Sequence, residues 1–268
     1  MRRLAAVLAL WLACAGAAAA APQRIVSLNL CTDGLLLALV PPERIAALTR
    51  QSVNPLMSPV VEVARDLPRV NRTAEQVLAY APDLVVAHSY SAGLTKSMLR
   101  RVGVPVHEVG VANSFDGLYE EIRLLGEALG EAAAAERLVA TIAADLAAVS
   151  RPVGTDAKTA LSFGPRGGTS GKGSLIDEVI TKAGYRNLAA ELGFGHWGTL
   201  PLEAVLRARP DVIVIEGHGD AKGGVGRDLV RHPALAALPA PRVVLPGPTT
   251  TCMGPATVGA VARLAAAR

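Results

Sequence analysis

The sequence is poor in aromatic residues and in cysteine. Phe, Trp and Tyr make up 3% of its 268 residues, and it has three cysteines. So few cysteines in a chain of this length exclude a disulfide-dense scaffold. Lys and Arg are scattered through the chain and the formal net charge is only +4. This charge pattern argues against a nucleic-acid-binding protein.

Long apolar runs are also missing after the first twenty residues, since none reaches the roughly 18 residues that a membrane-spanning helix needs. At the start of the chain, Arg2 and Arg3 precede an apolar stretch and an alanine-rich tract. This arrangement predicts a secretory signal over residues 1–21. A lipoprotein modified at Cys14 is the alternative. We therefore expect an exported protein, resident in the periplasm of a two-membrane bacterium.

The remaining chain alternates between short apolar runs and helical patterns. Hydrophobic residues make up 51% of the sequence, enough for a large core. The predicted strands are Arg24–Leu28, Arg44–Ala47, Leu84–Ala87, Val106–Val109, Thr159–Phe163, Val212–Ile215 and Arg242–Leu245. The predicted helices are Thr32–Leu39, Thr73–Tyr80, Leu94–Val102, Leu175–Ala183, Pro201–Ala208 and Gly254–Ala267. This βαβ rhythm with continuous apolar strands is typical of parallel α/β sheets.

Two segments are near-copies of one another. Glu75–Ala87 and Glu203–Ile215 both read E-x-V-L-x-x-x-P-D followed by an apolar strand. Each is a helix that ends before Pro, then Asp, then a buried strand. This junction is common in α/β proteins, but its occurrence once in each half of the chain favours two similar lobes.

An alanine-rich segment separates the two halves. Ser114 is a plausible helix N-cap, and Glu131–Val149 contains neither Pro nor Gly. Such a segment favours one long helix, of nearly 30 Å at about 1.5 Å per residue. We therefore predict Rossmann-like lobes at 22–130 and 152–268, joined by a linking helix at 131–151. A stiff linking helix predicts little internal motion.

The order of these features resembles the periplasmic binding proteins of ABC importers for iron–siderophores, haem and vitamin B12. The matching features are the strand, turn and leucine-rich helix of Arg24–Leu39, the two repeats, the T-S-G-K-x-S turn within Phe163–Ser174, and the aromatic loop and helix start of Gly195–Glu203. The resemblance covers essentially the whole chain after the signal.

The resemblance implies a solute-binding protein that carries a metal chelate between its lobes. Its expected partners are an ABC permease and its ATPase. It implies no catalysis and no intrinsic cofactor, although the transported ligand would contain iron or cobalt. The chain departs from the family in its first turn, where Leu30, Cys31 and Gly34 replace the usual Pro, small polar residue and Glu. A permease-docking Glu is also absent near Leu94.

Candidate ligand-binding residues follow the predicted strands, because ligands of α/β sheets gather outside the carboxyl ends of the strands. The loops there contain Cys, His, aromatic and other polar residues. The candidates are Cys31, Thr32, His88, Ser89, Tyr90, Asn113, Arg166, His196, Trp197, His218, Cys252 and Met253.

Thiolate and imidazole groups among these candidates suit transition metals. Cys31, His88, His196 and Cys252 could therefore contact the metal of a chelate. Alternatively, Cys31 and Cys252 form a disulfide across the cleft. We favour metal contact at this point, because a bridge across the cleft would hinder loading.

Three other candidates suit an organic chelator. Tyr90 and Trp197 offer flat rings for stacking on a macrocycle, and Trp197 lies in a Gly-rich loop with few packing neighbours. Arg166 could pair with ligand carboxylates. As alternatives, the rings are packing residues and Arg166 is a solvated charge.

Two further interpretations are weaker. The segment Gly167–Ser174 resembles a phosphate-binding loop, but Gly173 separates Lys172 from Ser174, and Ser174 fits better as a helix N-cap with Asp177. An enzyme with a Cys31 nucleophile is also conceivable, but no serine-hydrolase or metalloprotease motif accompanies it. A periplasmic carrier of a metal or metal cofactor is the remaining alternative.

Overall fold

The computed structural model describes residues 20–217 and 229–268. Its strands are β1 Ile25–Ser27, β2 Ile45–Thr49, β3 Arg69–Val70, β4 Leu84–His88, β5 Val106–Val109, β6 Thr159–Ser162, β7 Gly168–Thr169, β8 Arg186–Asn187, β9 Gly198–Thr199, β10 Val212–Gly217 and β11 Arg242–Pro246. Its α-helices are α1 Leu30–Leu39, α2 Val61–Ala64, α3 Ala74–Leu78, α4 Gly93–Arg101, α5 Phe115–Leu129, α6 Ala132–Val149, α7 Leu175–Lys182, α8 Leu188–Glu191, α9 Leu202–Ala208, α10 Pro233–Ala236, α11 Gly247–Thr250 and α12 Thr257–Ala265.

Two parallel sheets form the centres of two lobes. In the amino-terminal lobe the strand order is β3-β2-β1-β4-β5, and in the carboxyl-terminal lobe it is β11-β10-β6-β8. Four strands of the first sheet therefore recur in the second with the same connectivity, β2, β1, β4 and β5 corresponding to β8, β6, β10 and β11. The predicted fold of two Rossmann-like lobes is confirmed.

The repeated P-D junctions have the same role in both lobes. Asp83 accepts hydrogen bonds from the backbone N–H groups of Gln23 (2.7 Å) and Arg24 (2.9 Å), just before β1. Asp211 accepts one from the backbone N–H of Thr159 (2.7 Å), at the start of β6. Two residues before each Asp the backbone is left-handed, with φ of 45° at Ala81 and 47° at Arg209. The two sequence repeats are thus equivalent in conformation and hydrogen bonding.

The predicted linking helix is α6, which packs against α1 of one lobe and α12 of the other. Helix α6 packs closely against α5, since a Cβ on Gly126 of α5 would overlap with the side chain of Ala135. Ser114 caps α5 as predicted, accepting from Gly117 N at 3.2 Å. One cluster of buried apolar side chains runs from the amino-terminal lobe through α6 into the carboxyl-terminal lobe. The lobes therefore share a core.

Each of the seven predicted strands is present, with its ends shifted by at most two residues. Four two-residue strands, β3, β7, β8 and β9, were not predicted. In the described part of the chain, no helix combines the length and apolar character that crossing a bilayer requires.

Candidate functional site

A disulfide between Cys31 and Cys252 joins the carboxyl edges of the two sheets. Cys31 lies in the first turn of α1, directly after β1, and Cys252 lies between α11 and α12, after β11. Their Cα atoms are 5.3 Å apart. Gly247, at the start of α11, lies against the Leu56 carbonyl of the other lobe. The loops at the carboxyl ends of both sheets therefore open toward the same region between the lobes.

This disulfide corrects the preferred interpretation of the two cysteines. Metal coordination by cysteine requires a thiolate, and neither sulfur is one when the two are bonded to each other. Over residues 20–217 and 229–268, no group of three or more His, Cys, Asp or Glu side chains is arranged to hold a metal ion. His88 and His196 are therefore not part of a metal centre with these cysteines. The disulfide also removes the nucleophile that an enzyme based on Cys31 would need.

Thr32 and Met253 lie in the interior, in contrast to their prediction as ligand contacts. Thr32 has no exposed surface, and its hydroxyl is bonded to Ser27 Oγ (2.7 Å) and to the Asn29 carbonyl (2.8 Å). Met253 is 8% exposed and belongs to the core shared by the lobes. Position in a loop after a strand did not determine side-chain direction, since both side chains are buried in the protein interior.

The loop after β4 presents Tyr90, whose side chain is 85% exposed. Its backbone N–H lies 3.4 Å from Nδ1 of His88, and the two rings are 5.9 Å apart between centroids. Burial is the main cause that lowers the pKa of His88, with Lys96 acting in the same direction and Glu121 opposing it. A neutral imidazole can accept at Nδ1, so the lowered pKa favours this contact. Ser89 is exposed beside Tyr90.

The carboxyl-terminal lobe presents Trp197 and Arg166 together. β7 and β9 pair antiparallel, which places the loop containing Trp197 next to the turn Pro165–Gly167. Trp197 is 69% exposed, and a Cβ built on Gly168 would be 3.6 Å from its indole Nε1. Few side chains cover this ring, as the Gly-rich sequence predicted.

Arg166 has left-handed backbone geometry, with φ of 57°. The turn is held by hydrogen bonds from Leu200 N to Gly167 O (2.8 Å) and from Gly164 N to Gly168 O (2.8 Å). A left-handed conformation outside glycine is unfavourable and is found preferentially at functional sites. Gly168, which follows this turn, lies near the Trp197 indole, so the exposed Arg166 lies in the same part of the lobe surface as Trp197.

The other predicted residues occupy varied positions. His196 is exposed, and its ring lies near Gly173. Asn113 is half-buried before α5. His218 lies outside the described residues. Ser174 caps α7 as predicted, accepting from Asp177 N at 3.0 Å, while Asp177 accepts from Gly173 N at 2.9 Å. The hydrogen bonds between Gly173, Ser174 and Asp177 therefore fix the end of this loop to the first turn of α7.

Two buried charged residues at this edge were not predicted. Asp33 in α1 has no exposed surface, and Lys96 in α4 is 5% exposed. Asp33 accepts from the backbone N–H and the hydroxyl of Thr49. Charged residues are almost never fully buried unless they are paired. Here Thr49, the partner of Asp33, lies 16 residues away along the chain, and Glu108, the carboxylate partner of Lys96, lies 12 residues away. No local sequence pattern predicts either contact.

Comparison with known proteins identifies similar chains. A family model described as "Periplasmic binding protein" matches residues 25–242. An uncharacterized ABC transporter substrate-binding lipoprotein of Bacillus subtilis is 28% identical over 217 residues, covering 77% of this chain and 68% of the relative. A cobalamin-binding protein of Halobacterium salinarum is 31% identical over 189 residues, covering 67% of this chain and 47% of that protein.

Solved structures show the same architecture. The periplasmic haem-binding protein RhuT of Roseiflexus, in its apo form, superposes with a TM-score of 0.77 at 29% identity, covering 91% of this chain and 97% of RhuT. The vitamin B12-binding protein BtuF of Vibrio cholerae gives a TM-score of 0.65 at 18% identity, covering 91% and 96%. The second likeness concerns the fold alone.

Proposed function

Since the chain belongs to the periplasmic binding protein family, we propose that it captures a macrocyclic metal chelate, a haem or a corrinoid, between its lobes. It then delivers the chelate to the permease of an ABC importer, which is driven by an ATPase. The site of action is the periplasm, and the protein itself carries out no chemistry on the ligand. A relative at 31% identity binds cobalamin and a structure at 29% identity binds haem, and both ligands are macrocycles.

The observation that carries this proposal is the pair of exposed aromatic rings, one on each lobe. Tyr90 and Trp197 are 85% and 69% exposed, in a chain with few aromatic residues. Tyr and Trp rings that few side chains cover are typical of binding interfaces, where these residues are enriched. Flat rings stack well on a planar macrocycle, and Arg166 beside Trp197 supplies a positive charge for ligand carboxylates. We assign Tyr90, Trp197 and Arg166 to the ligand site, with His88, Ser89 and His196 at its margin.

A ferric siderophore is the second candidate for the ligand class, and a periplasmic carrier that hands the chelate to another protein is the second candidate for the role. Reconstitution with an ABC permease and ATPase from the same genome would separate importer from carrier. Stimulation of ATP hydrolysis by the loaded protein supports import.

Tryptophan fluorescence tests the proposed site directly. The chain has two tryptophans, and Trp11 lies in the predicted signal, so Trp197 is the only tryptophan of a protein expressed from residue 22. We expect titration with hemin or cyanocobalamin to quench this fluorescence in a saturable manner. Trp197→Ala should weaken binding about 10- to 30-fold, a loss of about 1.4–2 kcal/mol, measured by calorimetry.

The matched variant is Trp197→Phe, which keeps a flat ring and should retain most of the affinity. A ferric hydroxamate siderophore in the same assay tests the second ligand class. Unaltered fluorescence and no heat with either macrocycle would rule out the proposed ligand class.

Arg166→Gly is expected to stabilise the protein while weakening binding. Glycine removes the cost of the left-handed backbone, so the free energy of unfolding should rise by about 1 kcal/mol. Loss of the guanidinium should lower the affinity for hemin, which has two carboxylates, more than the affinity for cyanocobalamin, which has none. Denaturant unfolding and calorimetry measure the two effects.

Arg209→Gly is the control for this pair of effects. Arg209 is also exposed and left-handed, with φ of 47°, but it lies before β10 at the opposite edge of the sheet. It should show the same stabilisation with unchanged binding. Equal losses of affinity in both variants would contradict the role assigned to Arg166.

A further inference from the structure

Lys96 is a buried cation that no part of the proposed function uses so far. It lies in α4, is 5% exposed, and directs its ammonium toward the loop after β4. Nζ donates to the carbonyls of Ser89 (2.8 Å) and His88 (3.3 Å) and to Glu108 Oε2 (2.5 Å). Three donors thus meet three acceptors, as a buried ammonium requires.

One of the two carbonyls belongs to His88, the last residue of β4, and the other to Ser89 in the loop that carries Tyr90. Two other backbone hydrogen bonds hold this segment: Ser89 N donates to Val109 O on β5 (2.9 Å), and Ser91 N donates to His88 O (3.0 Å). Ala92 closes the loop in a left-handed conformation with φ of 53°. The Tyr90 ring itself is almost fully exposed, so its position depends on the backbone beneath it. Lys96 ties that backbone to a helix.

Glu108 on β5 completes the arrangement. It pairs with Lys96 through Oε2 and with Arg100 through Oε1. The Lys96 hydrogen bond is the main cause that holds the pKa of Glu108 below its usual value, followed by that of Arg100. Arg100 touches Glu108 but neither loop carbonyl is among its partners. The chain therefore offers a neighbouring cation that shares the carboxylate and lacks the contact with the loop.

We propose that Lys96 is a positioning residue, which fixes the backbone of the β4–α4 loop so that Tyr90 is presented to the ligand. This inference rests on the proposed function, because it assigns Lys96 a role through a ring in the proposed site. A fixed loop loses less conformational freedom when the ligand binds, which strengthens binding without a contact of its own.

A double-mutant cycle with Tyr90 tests the inference. Lys96→Met removes the ammonium at similar length and should weaken hemin or cyanocobalamin binding about tenfold. Because Lys96 acts through Tyr90, Lys96→Met combined with Tyr90→Ala should bind no more weakly than Tyr90→Ala alone. Lys96→Arg should restore part of the affinity, and Arg100→Met should leave affinity unchanged. Additive losses, or an equal loss in Arg100→Met, would overturn the inference.

Amide hydrogen exchange gives a measurement that needs no ligand. Lys96→Met should speed exchange at residues 89–92 while leaving β1 and β4 protected, and Arg100→Met should not. Unchanged exchange at 89–92 would overturn the inference even if the ligand class proves wrong. Wild-type protein that binds no macrocycle would instead refute the proposed function. If Lys96→Met does not fold, Lys96→Gln, which keeps a donor but not the charge, takes its place in both measurements.

Discussion

Replacing both Cys31 and Cys252 by Ser is expected to lower the free energy of unfolding by about 3–5 kcal/mol. The bridge connects residues 221 positions apart, so its loss releases a very large loop in the unfolded chain, and the entropic benefit of a disulfide grows with loop length. The bridge also lies beside the core that the lobes share, since Met253 next to Cys252 belongs to it. Denaturant unfolding with and without reductant measures the change.

Ligand affinity distinguishes a structural bridge from metal-binding thiols. Without a sulfur at the metal, the double Ser variant should keep its affinity for the macrocycle within about tenfold of wild type. Reductant should lower the stability of the wild type to that of the variant and leave the variant unaffected. If reductant instead strengthens macrocycle binding by the wild type alone, the thiols are ligands and the structural role is refuted.

The disulfide shows where prediction from this sequence ends. Both cysteines were predicted at carboxyl ends of strands, and that placement follows from local patterns of apolar strand and helix. Whether their sulfurs meet depends on how one lobe packs on the other, through α6 and a core of residues from both lobes. A bridge was expected to hinder loading, but it lies next to a core that both lobes share.

The direction and burial of individual side chains were also only partly predictable from the sequence. Strands β1, β2, β4 and β10 were predictable because each is a mostly apolar run with buried residues on both faces, while β7 and β9 are two residues long and have no periodicity. Trp197 could be singled out because it lies in a Gly-rich loop with few residues to pack on its ring, and Tyr90 because it is one of few aromatic residues and follows a predicted strand. Lys96 could not be judged in this way, because its partner Glu108 lies on the neighbouring strand β5. The hydroxyl of Thr32 is directed to Ser27 and Asn29 within its own turn, which position after a strand does not reveal.

The buried carboxyl group of Asp33 makes the stability of this protein depend on pH in an unusual direction. Burial raises its pKa from 3.8 to about 6, although hydrogen bonds donated by Ser27 and Thr49 act in the opposite direction. Between these values the folded protein binds a proton that the unfolded chain does not. Linkage then requires that the contribution of Asp33 to stability falls as the pH rises through about 6. Above that pH the charged carboxylate costs about 3 kcal/mol, from 1.36 kcal/mol per pKa unit.

Asp33→Asn should therefore stabilise the protein at pH 8 by up to about 3 kcal/mol, with a gain that disappears toward pH 4. An amide fits the site, because its oxygen can accept from Thr49 N and its NH₂ can donate to the Thr49 hydroxyl. Asp211→Asn is the control of opposite sign: hydrogen bonds from Thr159 lower the pKa of Asp211, so its loss should destabilise at neutral pH and matter less in acid. Urea unfolding of the three proteins from about pH 2.5 to 8 measures these differences, because a lowered pKa places the loss of the Asp211 contribution below pH 3.8. A constant stability difference between Asp33→Asn and wild type over this range would show that Asp33 is not the titrating group.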